Sequence, residues 1–403
     1  MTEAPGGGAT TTPAPQVDSA RGWLMTGATF VSTFVVFGVA YSFGAFFDSM
    51  SDEFGSGKGL TALLFSATTF LYFVLGVFTG RWSDRVGPRP VLATAIVTLG
   101  GGLYLTSIAG SIWLGLAAYS IGVGIAVACG YVPMVAAVGG WFERYRTTAL
   151  GVAVAGIGTG TLVMAPISSW LIDEYGWRSA YRILAVGGMV LLAGCYVVAA
   201  PPPGRATTDP PRPIRELVGH GAFRSLYGST LLMSVALFVP FVFLASYAEE
   251  RDLSSSLGAL LVGLIGGSSI VGRLGLGAIA SRVGVMRLYQ GCFGTMALSF
   301  GIWLVAGASA VLLVLFAVVL GVAYGGFIAL SPAVAAQLFG TVGLGGVLGA
   351  VYTAAGLGGL VGPPAAGALI DATDGYSLAI AIAGAFAAAA FVVLLTLPSA
   401  NER

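Results

Sequence analysis

The sequence predicts an all-α membrane protein of twelve transmembrane helices arranged as two parallel six-helix halves, and three observations carry that prediction. Of the 403 residues 57% are hydrophobic and only 9% charged, with a mean hydropathy of +0.91, whereas a soluble domain carries about a quarter charged residues. The chain divides into twelve apolar runs of roughly 20 residues, the length that crosses ~30 Å of hydrocarbon. The second six runs repeat features of the first at a fixed offset.

In chain order, residues 1–20 are rich in Ala, Thr, Pro and Gly and lack an apolar core, so they read as a disordered tail rather than a signal peptide. Expected spans at 22–47, 60–81, 89–110, 112–135, 146–172 and 178–199 make a first half over 21–200. The stretch APPPGRATTDPPRPIRELVGHG then interrupts the apolar pattern. Its prolines cannot continue either neighbouring helix, which defines a linker over 201–222. Spans at 223–248, 257–282, 287–307, 309–335, 343–369 and 376–397 make the second half over 223–398, and 399–403 form a short tail. The 62 glycines suit membrane helices whose backbones approach closely.

The repeat fixes how the halves are related. GRWSDRVG at 80–87 and GAIASRVG at 277–284 share Gly, Arg and Gly at one spacing, offset by 197. APISSWLID ends in Asp173 seven residues after Pro166, and GPPAAGALID ends in Asp371 seven residues after Pro364, offset by 198. Two matches in the same membrane orientation imply halves related by an axis along the membrane normal, with a substrate cavity between them near the midplane. Charge sets the orientation: thirteen of the 18 Lys and Arg fall on the side of the termini, and only Lys58, Arg178, Arg182 and Arg251 on the other. Both termini are therefore expected in the cytosol, in a multi-pass protein of the plasma (inner) membrane.

Composition also excludes classes. A net charge of +1 leaves no basic stripe for nucleic acid. Cys129, Cys195 and Cys292 lie in apolar runs and read as free buried thiols. With a lone His220 in the linker they build no metal-ligand spacing, and no nucleophile–base pair or phosphate loop is present, so neither a cofactor nor an enzyme is expected.

One residue breaks the apolar pattern in a way that points to chemistry. Between Leu253 and Ser281 the only charged side chain is Arg273. It stands nine residues from Arg282, about 13 Å at the helical rise, near mid-membrane, where an unpaired charge is costly. No Asp or Glu falls within the expected spans to neutralise it. Either it snorkels or bonds backbone carbonyls, or it binds an anion, a task for which a planar fork that cannot deprotonate is suited. Tyr131 before Pro133 and Tyr324 in GVAYGGF could add hydroxyls, with Phe327 and Cys129 as further wall residues and Phe37, Tyr41 and Tyr352 as weaker candidates. Packing is the competing reading for each.

The loop GRWSDRVGPR resembles the signature of the major facilitator superfamily, and a degenerate copy ends at Arg282. The resemblance implies a cytosolic gate built from Asp84, Arg85, Arg89 and Arg282; a topogenic charge cluster is the plainer alternative. The narrower stretch WFERYRTTALGVAVAGIGTG at 141–160, with Arg144 and Arg146 before alternating small residues, is similar to the signature of the monocarboxylate transporter family. That resemblance implies a monomeric secondary active carrier of small monocarboxylates such as lactate or pyruvate, moved together with a proton by alternating access. An oxalate/formate-type exchanger, or a carrier of another organic anion or aromatic substrate, remains open. The family's acidic signature at span one is only echoed, by DSARGWLM, with Asp18 displaced. Ser269 stands where many animal members carry an aspartate one turn before the span-eight arginine. The sole lysine, Lys58, is in an outer loop, and span one has no charge. A proton would then ride on the substrate, or on Asp48, Asp173 or Asp371 near the span ends.

Overall fold

The computed structural model describes residues 17–203, 219–340 and 344–397; most of the expected tails and linker lie outside these residues. Eleven helices are long and apolar enough to cross a membrane, and one of them holds two spans. Arg146–Val198 is 53 residues long, about 80 Å at the helical rise, and would overshoot any bilayer. It folds back at Gly176, whose φ of 76° and ψ of 156° only a residue without Cβ adopts cheaply. The twelve spans are α1 (Ala20–Phe54), α2 (Lys58–Val86), α3 (Pro88–Ser107), α4 (Ile112–Trp141), α5 (146–175), α6 (177–198), α7 (Gly221–Glu249), α8 (Ser255–Val283), α9 (Val285–Ala306), α10 (Ala310–Phe339), α11 (Leu344–Thr373) and α12 (Ser377–Leu395). Here "inner" denotes the end of the bundle bearing the α2–α3 loop, and "outer" the opposite end.

Most of the helices outrun the apolar runs that revealed them, because polar residues beyond the hydrocarbon still continue an α-helix. The largest such extension is in α1, which runs past 47 to Phe54 and so takes Asp48, Asp52 and Glu53 into its last turns. The expected spans themselves hold no carboxylate, but the helix of α1 carries the half-buried Asp48 one residue past its expected span. Three helices bend. In α4 and α7 the regular helix is interrupted at Tyr131 and Phe238, just before Pro133 and Pro240, whose rings cannot share the preceding hydrogen-bond ladder. In α1 the break is at Ser42.

Glycine sets how closely α1 and α5 approach. A Cβ placed on Gly156 or Gly160 would lie 2.2 Å from the Phe30 or Phe34 carbonyl oxygen. Thr33 Oγ1 ties the same pair of helices by donating to the Ala153 carbonyl at 2.8 Å. The run of small residues that begins α5 is therefore a helix contact. The halves meet along two long seams, α2 with α11 and α5 with α8, and where the outer parts of α1 and α7 touch, which is the pairing that a two-fold axis along the membrane normal produces. In the second seam a Cβ on Gly158 would be 2.4 Å from the Gly266 carbonyl oxygen.

Gly160→Val should destabilise the fold by about 1–3 kcal/mol through overpacking, seen as a lower melting temperature in detergent. Gly187→Val, at a position with nothing within 4 Å of the added atom, should melt like the unmodified chain; equal melting of both variants would refute the contact's importance.

Candidate functional site

A cavity of about 1400 Å³ lies between the halves. Gly80, Arg81, Asp84, Arg85, Gly140 and Arg146 line its inner mouth, while Phe37, Tyr41, Tyr72, Tyr131, Tyr324, Phe327 and Tyr352 line its deep end. The cavity is therefore inward-open. Its deep end is closed by the Tyr41 hydroxyl, which lies 3.3 Å from the hydroxyls of both Tyr72 and Tyr324. The Tyr41 ring also stacks on Phe241 of the second half at 4.6 Å.

Arg273 sits on α8 beside this closure and is 8% exposed. Its backbone is held against α10, since a Cβ on the preceding Gly272 would be 1.9 Å from the Val322 carbonyl oxygen. Its Nη1 donates to the Val154 carbonyl of α5 at 2.7 Å, a bond between the two halves. One branch of the plainer reading, bonding to a backbone carbonyl, is thus realised for a single nitrogen. Nε and Nη2 are buried with no hydrogen-bond partner among the described residues. These two nitrogens share one edge of the guanidinium, the edge that grips a carboxylate with two parallel bonds. Ser269, one turn earlier, spends its hydroxyl on its own helix, donating to the Gly266 carbonyl at 2.6 Å.

The other candidates divide. Tyr131, Tyr324 and Phe327 line the cavity. Arg273 itself is not part of the cavity wall in this inward-open state. Cys129 is a buried free thiol away from the wall. The expectation for it fails because residues two apart on a helix point to nearly opposite faces, so Tyr131 faces the cavity where Cys129 does not. Among the proposed gate residues, Asp84 and Arg85 stand at the open mouth with no ion-pair partner among the described residues. Arg89 is committed elsewhere: Nε and Nη2 donate to the Ala199 and Val197 carbonyls at 2.8 and 3.0 Å. It caps the C-terminus of α6, where orphan carbonyls and the helix dipole favour a cation. Arg282 is exposed on the last turn of α8.

Sequence reasoning missed what Asp18 does. Its carboxylate accepts the backbone N–H groups of Glu143, Arg144 and Tyr145 at 3.2–3.4 Å, at the entry to α5. Its own N–H donates to the Trp141 carbonyl at 2.9 Å. Trp23 packs edge-on against Phe142 with centroids 5.0 Å apart, and Gly22 leaves room for that ring. Asp18 holds a φ of 55°, a left-handed conformation that aspartate tolerates better than most residues. The displaced acid thus clasps DSARGW to WFERYR. The available signal was an acidic residue just ahead of a helix start whose nearest unpaired N–H groups lie in another loop.

Twelve spans in two halves, around a central cavity open at one end, define a membrane transporter rather than an enzyme. The chain belongs to the Major Facilitator Superfamily, whose family model matches residues 29–317. It is 29% identical over 386 residues to Monocarboxylate transporter 13 of Rattus norvegicus, covering 94% of this chain and 90% of that protein. It is 30% identical over 400 residues to Monocarboxylate transporter 4 of Mus musculus, covering 94% and 83%. Its fold is similar to that of the nucleoside transporter NupG, with a TM-score of 0.76 over 93% of this chain and 99% of that one, at 12% identity.

Asp18→Ala should leave three N–H groups at the start of α5 without their acceptor, at a cost of about 1 kcal/mol. A thermal-shift assay should record a melting temperature a few degrees lower. An unchanged midpoint would mean that the clasp adds no stability.

Proposed function

We propose that the protein is a secondary active carrier of small monocarboxylates of the lactate and pyruvate type. It moves the anion with a proton, by alternating access, as a monomer in the plasma (inner) membrane with the inner end and both termini in the cytosol. The observation that carries this reading is the Arg273 fork, buried with Nε and Nη2 unpartnered. An orphaned buried donor costs about 1–3 kcal/mol, more when charged, and a carboxylate removes that cost at both nitrogens at once. The relatives named above are monocarboxylate transporters, which narrows the anion class.

The residues take roles by position. Arg273 binds the carboxylate; Tyr131 and Tyr324 contribute hydroxyls and Phe327 contributes apolar wall. In the inward-open state the fork is shielded from the cavity, so the two-bond grip belongs to the occluded state, reached when the aromatic wall closes over the substrate. Neutralising the guanidinium lowers the charge carried into that state, so substrate selects it. Asp84 and Arg85, apart from any partner at the open mouth, meet theirs when the inner end closes. Arg282 stands at the equivalent place in the second half, whereas Arg89 braces α3 to α6.

Arg273→Gln should weaken binding of lactate or pyruvate on the order of a hundredfold, and Arg273→Lys should lose most transport because a point charge cannot replace a fork. Calorimetric titration of purified, folded Arg273→Gln decides the matter. Affinity close to that of the unmodified protein would make the arginine structural.

Proton coupling has its own test. Among the described residues no carboxylate contacts Arg273, so the proton travels on the substrate or on Asp48 near the outer end. Acidifying the outside of proteoliposomes at fixed anion concentration should accelerate uptake. The same structural feature favours a second reading, electroneutral exchange of two anions. An uptake rate indifferent to the pH gradient but stimulated by anion inside would replace symport with exchange.

A further inference from the structure

Outside the cavity, the polar groups that join the halves gather at the outer end around Lys58, the chain's sole lysine. Lys58 is the first residue of α2, in the first half. Its ammonium pairs with the carboxylate of Glu250, just past α7. It also donates to the hydroxyl of Tyr376, at the start of α12, at 3.0 Å. That hydroxyl donates in turn to Glu250 at 2.9 Å, closing a three-membered ring on a single oxygen of the Glu250 carboxylate. Next to it the Gly59 N–H donates to the Asp371 carboxylate of α11 at 3.2 Å. The Lys58 ammonium lies 4.7 Å from the centre of the Tyr376 ring, and the Arg251 guanidinium lies 3.6 Å from that of Tyr247.

Backbone geometry makes the ring specific to the closed outer end. A Cβ on Gly367 would lie 2.6 Å from the Gly59 nitrogen, and one on Gly57 would lie 2.8 Å from the Asp371 carboxylate. Separating α2 from α11 at this end therefore breaks the ring and the Gly59 bond together. The other ion pair among the described residues, Arg178 with Glu53, stays within the first half. At the position of Lys58 in the repeat the second half carries Ser255, so the device is one-sided.

We propose that Lys58, Glu250 and Tyr376 form an outer latch that biases the transporter toward its inward-open state and is released when the outer end opens. With side chains 23% and 48% exposed, the ion pair is no anchor of the fold, since partly exposed pairs add little stability. Its effect falls on an equilibrium between two states, where a contact made in only one of them shifts populations by its full differential strength. The latch touches no substrate, so it stands or falls independently of which anion is carried.

Spin labels at Asp52→Cys in the first half and Ser256→Cys in the second, on the full chain in lipid nanodiscs, report the outer opening by pulsed dipolar spectroscopy; the three native cysteines are buried. Glu250→Gln and Lys58→Met should each raise the long-distance, outer-open population about threefold or more. Tyr376→Phe should raise it less. The charge exchange Lys58→Glu with Glu250→Lys should return it toward the original distribution, which a mere loss of folding would not do. Unchanged distance distributions in both single variants, or a charge exchange that opens the outer end as far as either single change, would overturn the latch.

Discussion

The hydrogen bond from Arg273 to the Val154 carbonyl crosses between the two halves beside the deep end of the cavity, where an uncompensated charge is expensive. Much of the central architecture answers to that guanidinium. It can be tolerated there because one nitrogen is satisfied by backbone from the other half. It can be used because the remaining edge is not satisfied. A fully paired arginine would offer nothing to an anion and an entirely unpaired one would destabilise the bundle; partial satisfaction is what the proposed carboxylate site rests on.

Glycine makes that position possible. Gly272 lets α8 lie against α10, and Gly158 and Gly266 let α5 lie against α8, so the Val154 carbonyl comes within reach of a side chain on a different half. Bulkier residues at these seams would move the carbonyl away and leave a buried charge with nothing at all. The close packing and the charged residue are therefore one arrangement, in which small residues supply the proximity and the arginine supplies the bond between the halves.

What the sequence made legible was whatever repeats or stands out against an apolar background. Twelve hydropathic runs and the paired GRWSDRVG and GAIASRVG loops lead to the helix count and the two halves, and a lone charge in span eight leads to Arg273. Span lengths were less legible, since helices such as α1 run on through Asp48, Asp52 and Glu53 where hydropathy has already fallen. The hub at Lys58 was invisible because its partners, Glu250 and Tyr376, come from loops nearly two hundred and more than three hundred residues away. Cys129 shows the opposite error. Closeness in sequence to Tyr131 suggested closeness in the site, and helical rotation denied it. Arg89 fell within the signature loop, yet the end of α6, folded beside it, claims its guanidinium.

The turn at Gly176 has a mechanical consequence. A connection of one residue between α5 and α6 carries no slack, so a displacement at the outer end of one helix is passed to the other. α5 lies at the seam with α8, while α6 presents Val186, Val190 and Val197, each 63–71% exposed, to the lipid. Arg178, at the start of α6, is further tied to the carbonyls of Ser107 and Ala109 at the end of α3. A tilt at the seam would thereby be carried to the protein's perimeter. In the proposed alternating-access cycle each excursion of the first half would displace the surrounding acyl chains, making the stiffness and thickness of the bilayer part of the load against which the molecule works.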